Sequence, residues 1–152
     1  DSICRLAANL AQLYPSDPKE AARTDMIVVH QAEIQSAIAK MTYDGVPGAP
    51  GTKQVPKAER DARIDAWLDN QLPERLSCLE QLVTDSHMVG ERLTWADICV
   101  FNRLNQLLDI RETLLAHDFP KLESVYQQVE RLPEIQSWMH THQQDYPRFK
   151  KV

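Results

Sequence analysis

Glycine is scarce in this sequence, with only 4 residues among 152, and aromatic side chains make up 7%. With so little glycine there is no Gly-rich phosphate loop, and the abundance of Leu, Ala, Glu and Gln leans the composition towards helix. Cys4, Cys78 and Cys99 are odd in number and far apart, so they outline neither a disulfide framework nor a zinc site. They fit a reducing, cytoplasmic setting. No apolar run is long enough to span a bilayer, and the residues from Asp1 onward do not have the layout of a signal peptide. A cationic surface is absent too. The formal net charge is −5, and the one basic cluster, Arg148-Phe149-Lys150-Lys151, reads as a solvated tail. Nucleic acid is therefore not an expected partner.

What remains is ordinary globular material, 43% hydrophobic and 26% charged. It is enough for one well-buried core and too little for two comfortable domains. Ile3, Leu6, Ala7 and Leu10 recur at helical spacing until Tyr14-Pro15 ends the run. Asp17 suits an N-cap, Pro18 a first helical position, and Glu20 the returning acid of a capping box. The helix they open is expected to reach about Tyr43, with two stripes roughly 120° apart. One holds Ile27, Ile34, Ile38 and Met41. The other holds Ala22, Met26, Val29, Glu33, Ala37 and Lys40. Two semi-apolar faces wedge a helix between its own core and a second partner, another domain or another subunit.

Asp44 to Pro56, rich in Gly and Pro, reads as a loop. Lys57 to about Thr84 is helical, with a kink or a junction of two helices at Pro73. A third major helix is expected from Thr94 to about Leu108, and a short helical piece at Arg111 to Ala116. Pro120 to Arg131 and Pro133 to His140 each begin with Pro at a helix start. No strand and no internal repeat stand out, so the fold class is all-α, a helical bundle.

Five histidines form no metal pattern, and no nucleophile elbow or HExxH is present. No metal is expected. Asp97, which could be a catalytic acid, is better explained by local geometry. With Thr94 as N-cap, Asp97 is the third helical residue and closes a capping box, while Leu93 and Ile98 have the spacing of a hydrophobic staple. Glu33 is less easily explained, an acid between Val29 and Ala37 on the second stripe. It is either an exposed or salt-bridged side chain or a ligand.

Leu93-Thr94-Trp95-Ala96-Asp97-Ile98 resembles the helix start in the C-terminal domain of cytosolic glutathione transferases. Phe119-Pro120-Lys121-Leu122, then Val129, Leu132-Pro133-Glu134-Ile135 and Trp138, resemble that domain's ending. Ser2-Ile3-Cys4-Arg5-Leu6 is similar to the start of the helix closing the thioredoxin-like domain, and the Thr-Trp-Ala-Asp form favours the sigma class, which includes glutathione-dependent prostaglandin D synthases. The resemblance implies a closing helix at residues 1–15 and a C-terminal helical domain at 16–152, with the rest of the thioredoxin-like half, including the Tyr that activates the glutathione thiol, upstream of Asp1. It implies a homodimer using glutathione as co-substrate on a small electrophile, or in an isomerisation. Glu33 then matches the acid, usually Asp, that pairs with the γ-glutamyl ammonium in the neighbouring subunit. Lys40, Met41, Tyr43, Cys99 and Arg103 match walls of the electrophile pocket, and no catalytic residue falls in this chain. A non-catalytic interaction module, of the kind found in lens crystallins, translation factors and synthetases, is the alternative.

Overall fold

Two of the helices begin where a side chain close by in the sequence meets their unpaired first amides. The computed structural model describes residues 2–45, 49–115 and 118–142. Along these run α1 (Ser2–Leu10), α2 (Pro18–Thr42), β1 (Tyr43–Asp44), β2 (Lys53–Gln54), α3 (Lys57–Asn70), α4 (Leu72–Leu82), α5 (Trp95–Leu108), α6 (Pro120–Glu130) and α7 (Pro133–Thr141). At the head of α2, Asp17 Oδ1 accepts from the amides of Lys19 at 2.9 Å and Glu20 at 3.0 Å. Pro18 fills the first turn, where a missing N–H leaves nothing unpaired. The Glu20 carboxylate, expected to fold back on the cap, turns instead towards Gly90. Gly90 has φ +67°, a left-handed conformation that favours glycine, and a Cβ there would stand 3.0 Å from Glu20 Oε1, which would have to shift.

The apolar stripe of α2 (Ile27, Ile34, Ile38, Met41) meets Leu68 of α3, Leu72, Leu76 and Leu79 of α4, Val100, Leu104 and Leu107 of α5, and Leu122 and Val125 of α6 in one core. The expected helix from Lys57 is two helices, because Pro73 enters within the first turn of α4 and the chain re-aims at Gln71. Arg23 of α2 covers the far end of α4, donating to the Leu82 carbonyl at 2.7 Å.

Two expectations are corrected. β1 and β2 pair antiparallel, Tyr43 with Gln54 and Asp44 with Lys53. Strands of two residues are too short to show alternation in a sequence. The piece from Arg111 is a run of turns as far as Leu115, and Ala116 lies outside the described residues. Six residues cannot repay the cost of nucleating a helix without a packed face.

A second apolar cluster joins α1 to the bundle through Ala8, Val28 and Trp95, with Leu13, Tyr14 and Cys99 against it. The Trp95 N–H donates to the Leu13 carbonyl at 2.8 Å. Asp25 pairs with Arg5 at 3.1 Å and accepts from the Tyr14 hydroxyl at 3.0 Å. α1 itself ends by a left-handed residue, Gln12 (φ 59°), with the Leu13 amide bonded back to Ala8 and the Gln12 amide to Asn9. The stripe that recurs at helical spacing in the sequence faces outward. Ile3 is 83%, Leu6 61% and Leu10 79% exposed, and Ala8 alone on this helix is buried.

The start of α6 has no cap of its own. Glu80 of α4 supplies one across the bundle, accepting from the amides of Lys121 at 2.9 Å and Leu122 at 2.8 Å. A carboxylate at a helix N-terminus meets both unpaired donors and the positive end of the dipole. Glu80→Ala is expected to lower unfolding free energy by about 1–2 kcal/mol. Urea titration measures this, and an unchanged midpoint would show that solvent replaces the carboxylate.

Candidate functional site

The third major helix is fixed at its start. Thr94 and Asp97 are both buried and form the expected capping box. Asp97 Oδ2 accepts from the Thr94 amide and hydroxyl, each at 2.7 Å, while Oδ1 accepts from the Met88 amide at 2.7 Å. The last contact is one the sequence did not reveal, and it pins the preceding loop to the helix. His87 Nδ1 lies 3.6 Å from the same Oδ1. A carboxylate enclosed by three donors organises structure and is not presented to a substrate.

One turn on, Cys99 is half-buried, and burial is the main cause pushing its thiol up to about 12, with Cys4 adding to it and Arg103 opposing. Such a thiol is protonated at neutral pH, whereas the nucleophile is the thiolate. Iodoacetamide at pH 8 is expected to label the exposed Cys4 and Cys78 and to reach the half-buried Cys99 at least about tenfold more slowly. Mass spectrometry of the adducts checks this, and a third adduct formed at the rate of the first two would contradict it.

Arg103 is buried between α5 and α2 and donates to the side-chain oxygens of Gln31, Gln35 and Gln106. Gln31 and Gln35 come from one face of α2, one turn apart, so this polar cluster ties the two helices. Met41 is buried in the main core, Tyr43 is half-buried on β1, and Lys40 is exposed near the end of α2. Glu33 is exposed and points the other way, towards α4, where its Oε2 lies 3.2 Å from Arg75 Nη1. The structure thus brings Cys99 and Arg103 together on the α5 side of α2 and places Glu33 apart from them.

The second stripe of α2 is open, with Met26 49% and Val29 60% exposed. It borders a depression of about 510 Å3 that includes Arg23, Met26, Thr84 and Val89. A smaller one of about 280 Å3 lies beside Arg75, between α2 and α4, with His30 and Cys78 on its walls. Neither is lined by Cys99 or Arg103. Arg75 and the three glutamines were not marked in the sequence. A Gln pair at i and i+4 on one face of the helix was the available signal for Gln31 and Gln35; for Arg75 there was none.

The model of the glutathione S-transferase C-terminal domain family matches residues 49–142, more than half of the chain. This chain belongs to the glutathione S-transferase family. A class-mu 26 kDa glutathione S-transferase isozyme of Schistosoma mansoni is 24% identical over 141 residues, covering 92% of this chain and 58% of that one. The pi-class glutathione S-transferase of Onchocerca volvulus superimposes with a TM-score of 0.76 at 18% identity, over 93% of this chain and 64% of that one. Prostaglandin synthase D of Nilaparvata lugens gives 0.75 at 17% identity, over 91% and 65%. At these identities the likeness of the two structures to this glutathione S-transferase chain concerns the fold. The chain spans less than two thirds of the length of each of these relatives.

Proposed function

We propose that this chain is the helical part of a sigma-type, cytoplasmic, homodimeric glutathione transferase. Residues 1–15 close a thioredoxin-like domain, and 16–152 form the C-terminal domain. The observation that carries the division is α1, bonded to the bundle on one face while Ile3, Leu6 and Leu10 stand exposed on the other. Three large apolar side chains in a row on a well-ended helix call for a covering surface, and a thioredoxin-like sheet supplies one. The share of its relatives that the chain spans fits the same division. The sigma assignment rests on the Thr94-Trp95-Ala96-Asp97 form, and the fold likeness to a prostaglandin synthase D agrees with it.

In this reading glutathione is the co-substrate, and its thiolate attacks an electrophile or serves an isomerisation. Glu33 pairs with the γ-glutamyl ammonium bound by the neighbouring subunit. Lys40, Met41, Tyr43, Cys99 and Arg103 contribute the wall of the electrophile pocket and its support. Arg103 and Gln35 join α5 to α2 and fix the angle at which Cys99 is held. Glu33, on the opposite side of α2, belongs to a surface a second subunit can reach. Thiol activation falls to a Tyr in the other half. Tyr14 does not serve, because burial and its bond to Asp25 raise its pKa and its proton is committed to that carboxylate.

The test is turnover. The purified 152-residue chain is expected to show no conjugation of a chlorodinitrobenzene-type substrate, and the chain carrying a thioredoxin-like half is expected to show it. Measurable turnover by the 152 residues alone would overturn the division of labour. A non-catalytic interaction module is the second reading, favoured by Glu33 already being paired with Arg75. An upstream segment with an early Tyr and a Gln-Ser end supports the enzyme; a different segment supports the module.

A further inference from the structure

Glu33 is an unusual residue for the task proposed above. It is 59% exposed at the side chain and carries three rotatable bonds, so on its own it would sample many positions and lose that freedom on meeting an ammonium. The structure supplies a restraint from another helix. Arg75 Nη1 lies 3.2 Å from Glu33 Oε2, and the Arg75 side chain is 33% exposed, more enclosed than the acid it holds. Its backbone is held as well. His30, one turn before Glu33 on α2, places Nε2 3.2 Å from the Arg75 carbonyl oxygen. Two successive turns of α2 are therefore tied to one residue of α4. Among the described residues only Oε2 of Glu33 is engaged, and Oε1 keeps its lone pairs.

We infer that Arg75 is a positioning residue for the glutathione site, holding Glu33 through one carboxylate oxygen so that the other meets the ammonium of the substrate. This rests on the reading of Glu33 given above. Two effects oppose each other. The guanidinium repels an incoming ammonium, but its charge is screened at a partly exposed site. Fixing the glutamate removes an ordering cost that the ligand would otherwise meet. The second effect outweighs the first where the restraining side chain is itself the more enclosed of the two, as Arg75 is beside Glu33.

The experiment uses the complete dimer, with steady-state kinetics in glutathione and in the electrophile. Arg75→Ala is expected to raise KM for glutathione about threefold, the size of a part-exposed ion pair, with kcat and KM for the electrophile unchanged. Arg75→Lys recovers most of the loss. Glu33→Ala raises the same KM about tenfold, as loss of a charge-assisted bond does, and adding Arg75→Ala to it changes nothing further. Arg75→Gln, which keeps part of the apolar stem, replaces the alanine variant if that one folds poorly.

The failures separate. If Glu33→Ala leaves KM for glutathione unchanged, the reading of Glu33 falls and takes the role of Arg75 with it. If Glu33→Ala raises KM while the Arg75 variants leave it unchanged or lower it, Arg75 is a competing partner and the positioning role alone is overturned. If the Arg75 effect persists in the Glu33→Ala background, it acts on glutathione or the fold by another route, and the positioning role is overturned as well.

Discussion

Asp97→Ala is expected to destabilise the protein by about 3–5 kcal/mol, a large share of a domain's total stability. The truncation leaves the Met88 amide, the Thr94 amide and the Thr94 hydroxyl without their acceptor in a site closed to solvent. Each buried donor left unpaired costs about 1–3 kcal/mol, and the three costs overlap because one carboxylate serves all. Asp97→Asn keeps one acceptor oxygen and should lose roughly half as much. Urea unfolding followed by circular dichroism measures both. A loss below about 1 kcal/mol would mean that the loop relaxes and solvent caps the helix, the behaviour of an exposed N-cap. The Met88 bond is why more is expected here, since losing Asp97 also leaves a buried amide of the preceding loop without its acceptor.

Trp95→Ala is expected to be comparably severe, at about 3–5 kcal/mol, and its consequence is local before it is global. The indole is buried among Ala8, Val28, Leu13 and Tyr14, and it is the largest side chain between α1 and the bundle. Removing it leaves α1 held by backbone bonds and by the Arg5–Asp25 pair, whose side chains are 47% and 33% exposed. Such a pair contributes about 0–1 kcal/mol. Limited proteolysis is therefore expected to cut between residues 11 and 17 in the variant well before the bundle is digested. Cleavage of α1 and α5 at the same rate would show that the two unfold together and that the joint is no weaker than the core.

Much of the fold was legible because its signals are local. Asp17-Pro18, Thr94 with Asp97, and the prolines at 120 and 133 each mark a helix start from within a few residues, and the structure agrees with each to within a residue or two. What escaped depends on distance along the chain. Glu80 caps a helix forty-one residues away, and Arg103 is enclosed by glutamines 68 and 72 residues before it. A period of 3.6 says which residues share a face but not which neighbour that face meets. That is why the helical spacing of Ile3, Leu6 and Leu10 is plain in the sequence while their exposure here is not. The candidate site was less legible still. Cys99 and Arg103 were placed one turn apart correctly, but the sequence could not show that α2 lies between them and Glu33, or that Arg75 waits on its far side.

α7 contains no buried residue, and its Trp138 stacks on His142 at 4.7 Å while remaining 45% exposed. A helix that hides so little apolar area can open without disturbing the bundle, at a small fraction of the global unfolding free energy. Its amides should then trade hydrogen for deuterium through brief local openings, long before those of α5 do. The first and last helices described here differ in kind: α1 is clamped on one face and bare on the other, whereas α7 lies on the bundle like a tile with no residue sunk into it.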